Sequence, residues 1–345
     1  MLTNGVQSLK FKVQSLKNIA PGNRKFFGVF VFRNVTFELM YAKNKIAVTV
    51  VTGFLGAGKT TFINELLKTQ TEKQFALVEN EFGEVSIDTK LIKGIDVSQM
   101  FELRNGCICC TVTDEYELAL KELAERFPDV EHLLVETSGI ADPGPVIRPF
   151  FVDEDLKKLY NFNGTVCLVD ARYFHRYPTK KTAFKQLAAA DDVLITKTEN
   201  LSLVQKEEFM NELQILNPLA VFHLADFGKV SGLDLEHIQH KIKFTPQFHT
   251  KDNDHEYVQV KTIRFVQPVN KIKFTTWLSY TLDIYKDEIY RVKGILCFEN
   301  EPFEFILQGV GGSFELTEGD LILNETVSEM VFIGKNMPVI TFFSS

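Results

Sequence analysis

Little in this chain suits a membrane helix, a secreted scaffold or a broad nucleic-acid surface. No apolar run reaches the roughly 20 residues that a bilayer-crossing helix needs, so no membrane partner is expected. Basic residues are outnumbered, 38 Lys and Arg against 45 Asp and Glu. The net charge of -7 argues against bulk binding of DNA or RNA, leaving room only for a local patch. Cysteine is scarce, five in 345 residues, and three of the five fall within four positions. That distribution cannot staple a secreted scaffold and fits a reducing, cytoplasmic setting. No internal repeat is evident. What remains is an ordinary globular composition, 45% hydrophobic and 24% charged, long enough for two domains.

The positive signals concentrate between residues 45 and 225. Ile46 to Thr52 is a β-branched run that predicts a strand covered on both faces. Gly53-Phe54-Leu55-Gly56-Ala57-Gly58-Lys59-Thr60 follows at once, and Thr60 to Lys68 reads as a helix. Strand, glycine-rich turn and helix in that order define a phosphate-binding loop. Glycines let backbone N–H groups face phosphate oxygens. Lys59 is placed to bridge the β- and γ-phosphates, and the Thr60 hydroxyl to bind Mg²⁺. Further short strands are expected at Phe75 to Val78, His132 to Glu136, Thr165 to Val169 and Val193 to Thr196. Helices are expected at Asp114 to Phe127 and after a Ser202/Gln205 capping box. The alternation predicts an α/β domain of three layers with a mainly parallel sheet.

Residues 226–256 lose this pattern and carry four of the seven histidines, as a linker would. From 257 to 345 a smaller α+β domain is expected, with strands at Tyr257 to Val266, Val292 to Phe298, Phe303 to Gln308 and Met330 to Ile333, and a helix at Thr275 to Tyr290. Residues 1–44 stand apart. They hold no acid before Glu38, but Lys10, Lys12, Lys17, Arg24, Lys25 and Arg33 are basic. An extra surface segment, a start codon placed too early and an organelle-targeting leader are the readings of this extension.

Two acidic strand ends and one thiol cluster complete the candidate site. Glu136, in Leu133-Leu-Val-Glu-Thr-Ser-Gly139, is the candidate to hold Mg²⁺, and Gly139 the candidate to face the γ-phosphate. A strand-end residue facing solvent is the plain alternative for Glu136. Thr196-Lys197-Thr198-Glu199 stands where a GTPase carries Asn-Lys-x-Asp. Glu199 supplies acceptors for guanine N1–H and N2–H₂, and Thr196 and Lys197 flank it. Cys107, Cys109 and Cys110 can converge on a thiophilic ion such as zinc, with Glu79 or Glu84 as oxygen ligand. Buried apolar cysteines and a redox pair are the alternatives. Cys167 and Cys297, each within an apolar strand, read as packing residues.

These segments together resemble the CobW-type metallochaperone GTPases, relatives of the urease and hydrogenase nickel-insertion GTPases. The resemblance spans about residues 45–340. It is carried by GFLGAGKTT at 53–61, ENEFGEVSID at 79–88, NGCICC at 105–110, ETSGIADP at 136–143 and Arg291-Val-Lys-Gly294. It implies hydrolysis of GTP to GDP, with Lys59, Glu136 and Gly139 on the phosphate side. Gly53, Gly56, Ala57, Gly58, Thr60, Thr61, Thr196, Lys197 and Glu199 are implied to hold nucleotide. It further implies delivery of zinc, or of cobalt or nickel, from the cysteine cluster to a client metalloprotein, and it is compatible with a homo-oligomer. Glu199 in place of the usual aspartate departs from the pattern. So does the reduction of the histidine-rich loop to His249 and His255. An ATP-dependent phosphotransferase with a structural zinc, or a nucleotide-regulated metal sensor with little turnover, are the rival classes.

Overall fold

Side-chain alternation on a few buried strands sets the architecture. Strand β1, Ile46–Gly53, places Val48 and Val50 in one apolar cluster and Val51 in another. Strand β5, His132–Thr137, repeats the division with Leu133 and Val135 on the first side and Leu134 on the second. Strands buried on both faces need helices above and below, which is the condition for a three-layer α/β domain. The computed structural model describes residues 45–81, 84–87, 102–103, 113–177, 180–236, 238, 258–322 and 327–342.

The remaining strands of this sheet are β2 (Phe75–Glu81), β3 (Glu84–Ile87), β4 (Glu102–Leu103), β6 (Tyr160–Asp170), β7 (Asp192–Thr196), β8 (Val221–Asp226) and β9 (Lys229–Val230). Their order is β4-β3-β2-β5-β1-β6-β7-β8-β9. The six from β2 to β8 in that order pair in parallel, and antiparallel strands close both edges. Helix α1, Lys59–Thr69, covers one face with Phe62, Ile63 and Leu66. The other face takes α2 (Thr113–Arg126), the short helices α3 (Gly144–Ile147), α4 (Pro149–Val152) and α5 (Glu154–Leu159), then α6 (Lys180–Ala189) and α7 (Leu203–Leu216). Each fully buried Leu, Val or Phe contributes roughly 1.5–3 kcal/mol relative to exposure.

The expected parallel sheet is therefore present, with longer strands than the sequence suggested. The stretch read as a linker begins differently. Lys229–Val230 pairs with β8, and Leu235 and Ile238 are buried in the α1-side core, so these residues pack with the first sheet.

The second sheet is antiparallel, in the order β10-β14-β11-β12-β13. Its strands are β10 (Gln259–Phe265), β11 (Ile289–Cys297), β12 (Phe303–Val310), β13 (Ser313–Leu321) and β14 (Ser328–Gly334). Helix α8 spans Lys271–Ile284, not Thr275 to Tyr290 as expected. The Asn270 side chain accepts from the Lys273 amide and starts the helix one turn early. Ile289 and Tyr290 belong to β11 instead. Phe274, Leu278 and Leu282 on α8 pack with Leu296, Leu307 and Phe332 from the sheet. Val260, Tyr290, Val331 and Ile333 share a further cluster with Phe184 and Leu187 of α6, so the two sheets have a common apolar seam.

Candidate functional site

The carboxyl ends of the parallel strands converge on one edge, the usual crevice for ligands in open α/β sheets. Gly53 ends β1, and positive φ angles at Gly53, Gly56 and Gly58 (140°, 75° and 99°) wrap the loop around open space. At Gly53 a Cβ would lie 2.4 Å from the Leu168 carbonyl oxygen, so the position requires glycine by contact as well as by conformation. Gly58 is the N-cap of α1 and offers no side-chain acceptor to the helix's first amides. Those N–H groups and the positive end of the helix are thus directed at the loop.

Lys59 is buried, and its Nζ donates to the Gly53 carbonyl at 3.0 Å. Burial lowers its pKa, opposed by the Glu136 carboxylate. A desolvated ammonium hydrogen-bonded to a neutral carbonyl is well placed to take an anion. Thr60 Oγ1 donates to Glu136 Oε1 at 3.2 Å, joining the loop to the end of β5. A hydroxyl and a carboxylate together form the hard oxygen pair that suits Mg²⁺. The residues therefore fit a Mg²⁺–nucleoside phosphate. Gly139 lies against the same loop, where a Cβ would sit 2.6 Å from the Leu55 amide nitrogen.

The 196–199 segment braces the loop from the other side. Thr196 Oγ1 donates to Ala57 O at 2.9 Å and Val169 O at 3.2 Å. Lys197, at φ 59°, donates from Nζ to Gly56 O at 2.5 Å and to Asp170 Oδ2 at 2.7 Å. Thr198 and Glu199 line a pocket of about 570 Å³ with Lys206, Ala225, Asp226 and Lys229. Arg172 NH1 lies 3.8 Å from Glu199 Oε1. Asp170, Arg172, Asp226 and Lys229 were not read from the sequence. Asp170 was detectable, since it ends an apolar strand as Glu136 does. The hairpin carrying Asp226 and Lys229 had no comparable signal. Thr61 is exposed on the first turn of α1.

Of the thiol cluster, Cys107, Cys109 and Cys110 lie outside the described residues, as do His249 and His255. Glu79 lies in β2 beside Glu136 in parallel register, and Glu84 opens β3 opposite Glu81. Two strand ends thus bring the expected oxygen-ligand segment next to the phosphate side. Cys167 and Cys297 are buried, each in a strand, and burial pushes the Cys167 thiol up to about 12, which suits a packing residue. His132 is likewise buried, with Thr49 Oγ1 2.9 Å from its Nε2.

Residues 47–223 match the family described as CobW/HypB/UreG, nucleotide-binding domain, and residues 258–340 match the cobalamin synthesis protein cobW C-terminal domain. Among curated proteins, the zinc chaperone YjiA of Escherichia coli is 33% identical over 86% of this chain and 96% of its own length. The zinc chaperone CobW of Pseudomonas aeruginosa is 29% identical over 79% of this chain and 82% of its own. The zinc-regulated GTPase metalloprotein activator 1 of Saccharomyces cerevisiae is 25% identical over 86% and 81%. A crystal structure of Zn(II)-bound YjiA GTPase from E. coli superposes with a TM-score of 0.62 at 26% identity, covering 86% of this chain and 96% of that one.

Proposed function

Because the chain belongs to the family that joins a CobW/HypB/UreG nucleotide-binding domain to a CobW C-terminal domain, we propose that it hydrolyses GTP to GDP and phosphate. We propose further that this cycle governs the holding of zinc at Cys107, Cys109 and Cys110 and its transfer to a client metalloprotein in the cytoplasm. The observation that carries the nucleotide part is the contact of Thr60 Oγ1 with Glu136, beside a buried Lys59 in the glycine cradle. The zinc part is supported by relatives described as zinc chaperones and by the position of Glu79 next to Glu136 in the sheet.

On this reading each residue has one task. The amides of the Gly53–Gly58 turn hold phosphate oxygens, and Lys59 exchanges the Gly53 carbonyl for them. Thr60 and Glu136 would hold Mg²⁺, which when bound would offset negative charge on the phosphates. Thr196 and Lys197 keep the loop in its cradle shape through Ala57 and Gly56. Glu199 accepts from the guanine edge, leaving its distant partner Arg172. Zinc is cargo, with Glu79 or Glu84 completing the thiolate set, and cobalt or nickel are the other candidates on the same donors.

Steady-state phosphate release with GTP or ATP, each with and without zinc, tests the reading. Release with GTP that exceeds release with ATP, and that responds to zinc, supports it. Adenine preference with transfer to an acceptor other than water would replace it with a phosphotransferase. Nucleotide binding without release would leave a sensor.

A further inference from the structure

Helix α6 lies between the phosphate side of the site and the C-terminal sheet, and the second half of the helix contacts both. Gln186, 1% exposed, donates from Nε2 to the Gly139 carbonyl at 3.2 Å and the Ala141 carbonyl at 3.0 Å. Its neighbour Lys185 pairs with Asp142 at 2.6 Å and lies 5.5 Å from the centre of the Tyr290 ring in β11. Asp142 in turn accepts from the Gly144 amide at 2.9 Å. Within one turn of Gln186, where α6 ends, Arg291 of β11 donates to the Ala189 carbonyl at 2.8 Å and to Asp191 at 2.5 Å. A second contact joins the same bodies. Gly144 meets Gly311 of the β12–β13 turn so closely that a Cβ on either would fall within 2.9 Å of the other's Cα.

Gly139 sits between the two sides of this arrangement. It touches the phosphate loop at Leu55 on one side and Gln186 on the other. A group that moves the 139–142 segment must either keep or break the Gln186 bonds. Gln186 Oε1 accepts from no group among the described residues, although its amide is buried. A buried amide with its acceptor unused can serve a second arrangement of the same segment, in which a main-chain N–H replaces a carbonyl as partner.

We propose that Gln186 is a positioning residue for the γ-phosphate side of the site: it holds Gly139 to Ala141 against the phosphate loop and, through α6, ties the setting of that segment to the C-terminal sheet. The proposal rests on the nucleotide reading above. It makes the C-terminal sheet responsive to the γ-phosphate and, by linkage, the γ-phosphate affinity responsive to whatever the C-terminal sheet binds.

Gln186→Met keeps the length of the side chain and removes both N–H donors. It is compared with the wild-type full chain for affinity toward GDP and a non-hydrolysable GTP analogue, and for amide exchange in β11 with each nucleotide. The expected result is GDP affinity close to wild type and a preference for the analogue reduced roughly tenfold, within the range of ordinary coupling. The nucleotide-dependent difference in β11 exchange should also be lost. Gln186→Glu, whose carboxylate would face two carbonyls, should reduce the preference further. A purely structural role would instead weaken both nucleotides together. Lys185→Met, on the same helix and only partly buried, should shift the preference in the same direction by less, and it carries the test should the Gln186 variants not fold. An unchanged analogue-to-GDP ratio in the folded variants overturns the proposal. Wild-type protein that fails to bind the analogue overturns the nucleotide reading itself, which is a separate outcome.

Discussion

His132 is buried in the central sheet, with Thr49 Oγ1 against its Nε2 and the Phe75 ring 5.3 Å away. Burial, with a smaller push from Lys73, lowers its pKa to about 4. An unfolded histidine titrates near 6.5, so between these values the unfolded chain binds more protons than the folded one. Stability contributed by neutral His132 is therefore complete above about pH 6.5 and falls as pH drops toward 4, by about 3 kcal/mol at most. Urea unfolding of wild type and His132→Gln across that window should show the slope in the wild type and its reduction in the variant. Parallel curves would remove His132 as the source. On the proposed reading, Glu199 is the residue that reads the base. Its only described ionic partner is Arg172, 3.8 Å away, and both are more than 40% exposed. Such a pair is worth about 0–1 kcal/mol, so the proposed guanine contact would displace it at little cost. Glu199→Ala should weaken GTP by roughly 1.5–3 kcal/mol, one to two orders of magnitude, while ATP affinity moves little. Arg172→Ala should leave GTP within about threefold of wild type. Competition binding with both nucleotides measures each; equal losses of GTP and ATP in Glu199→Ala would end its role as the guanine reader.

Among elements, those with local chemistry in their own sequence were the readable ones. The phosphate loop, the apolar strands β1, β5, β6 and β7 and the helix after Ser202 all announced themselves within a few residues. Ser202 Oγ accepts from the Gln205 amide at 3.2 Å, and Gln205 Oε1 accepts from the Ser202 amide at 2.9 Å. This box should stabilise α7 by about 1 kcal/mol, so Ser202→Ala should lower the urea midpoint by that equivalent, with Gly in its place losing only a few tenths. No shift on alanine replacement would mean that the packing of Phe209, Leu213 and Leu216 alone fixes the helix. Helix α8 was misplaced although its signal was present: Phe274, Leu278 and Leu282 repeat at four-residue intervals behind the Asn270 cap. Strand β13 gave no such signal, because as an edge strand it leaves Glu318, Asp320 and Leu321 exposed and breaks the alternation. The same distinction holds within the site. Lys59, Thr60 and Glu136 follow from motif and strand end, whereas Gln186 has no local mark at all. Its role depends on carbonyls 47 and 45 positions away, and only the folded chain brings them together.

Across the whole molecule the two sheets meet over an apolar seam that encloses a charged knot. Asp191 accepts from the Thr165 amide at 2.8 Å, and Arg291 and Lys293 of β11 both reach its other oxygen. All three side chains are buried. Burial works against the Asp191 charge, yet Arg291 and Lys293 hold its carboxyl below the ordinary range. The two cations are not equivalent. Arg291 also donates to the Ala189 carbonyl and, at 3.4 Å, to Gln308, so its loss leaves several acceptors without a donor. Lys293 pairs only with Asp191 among the described contacts, so its loss strands fewer acceptors. Removing one partner of a buried ion pair costs about 3–5 kcal/mol when it strands a charge. Arg291→Met should approach that figure, and Lys293→Met, which leaves Asp191 bonded to Arg291, should cost clearly less. Chemical denaturation of the full chain gives the order directly. Equal losses, or a larger loss at Lys293, would show that the knot is held by summed charge and not by the bonds of Arg291. The proposed order also predicts where the molecule opens first. In Arg291→Met, amide protection should fall at Ala189 to Asp191 and along β11 before it falls in β1 and β5, because those central strands keep their own apolar clusters on both faces.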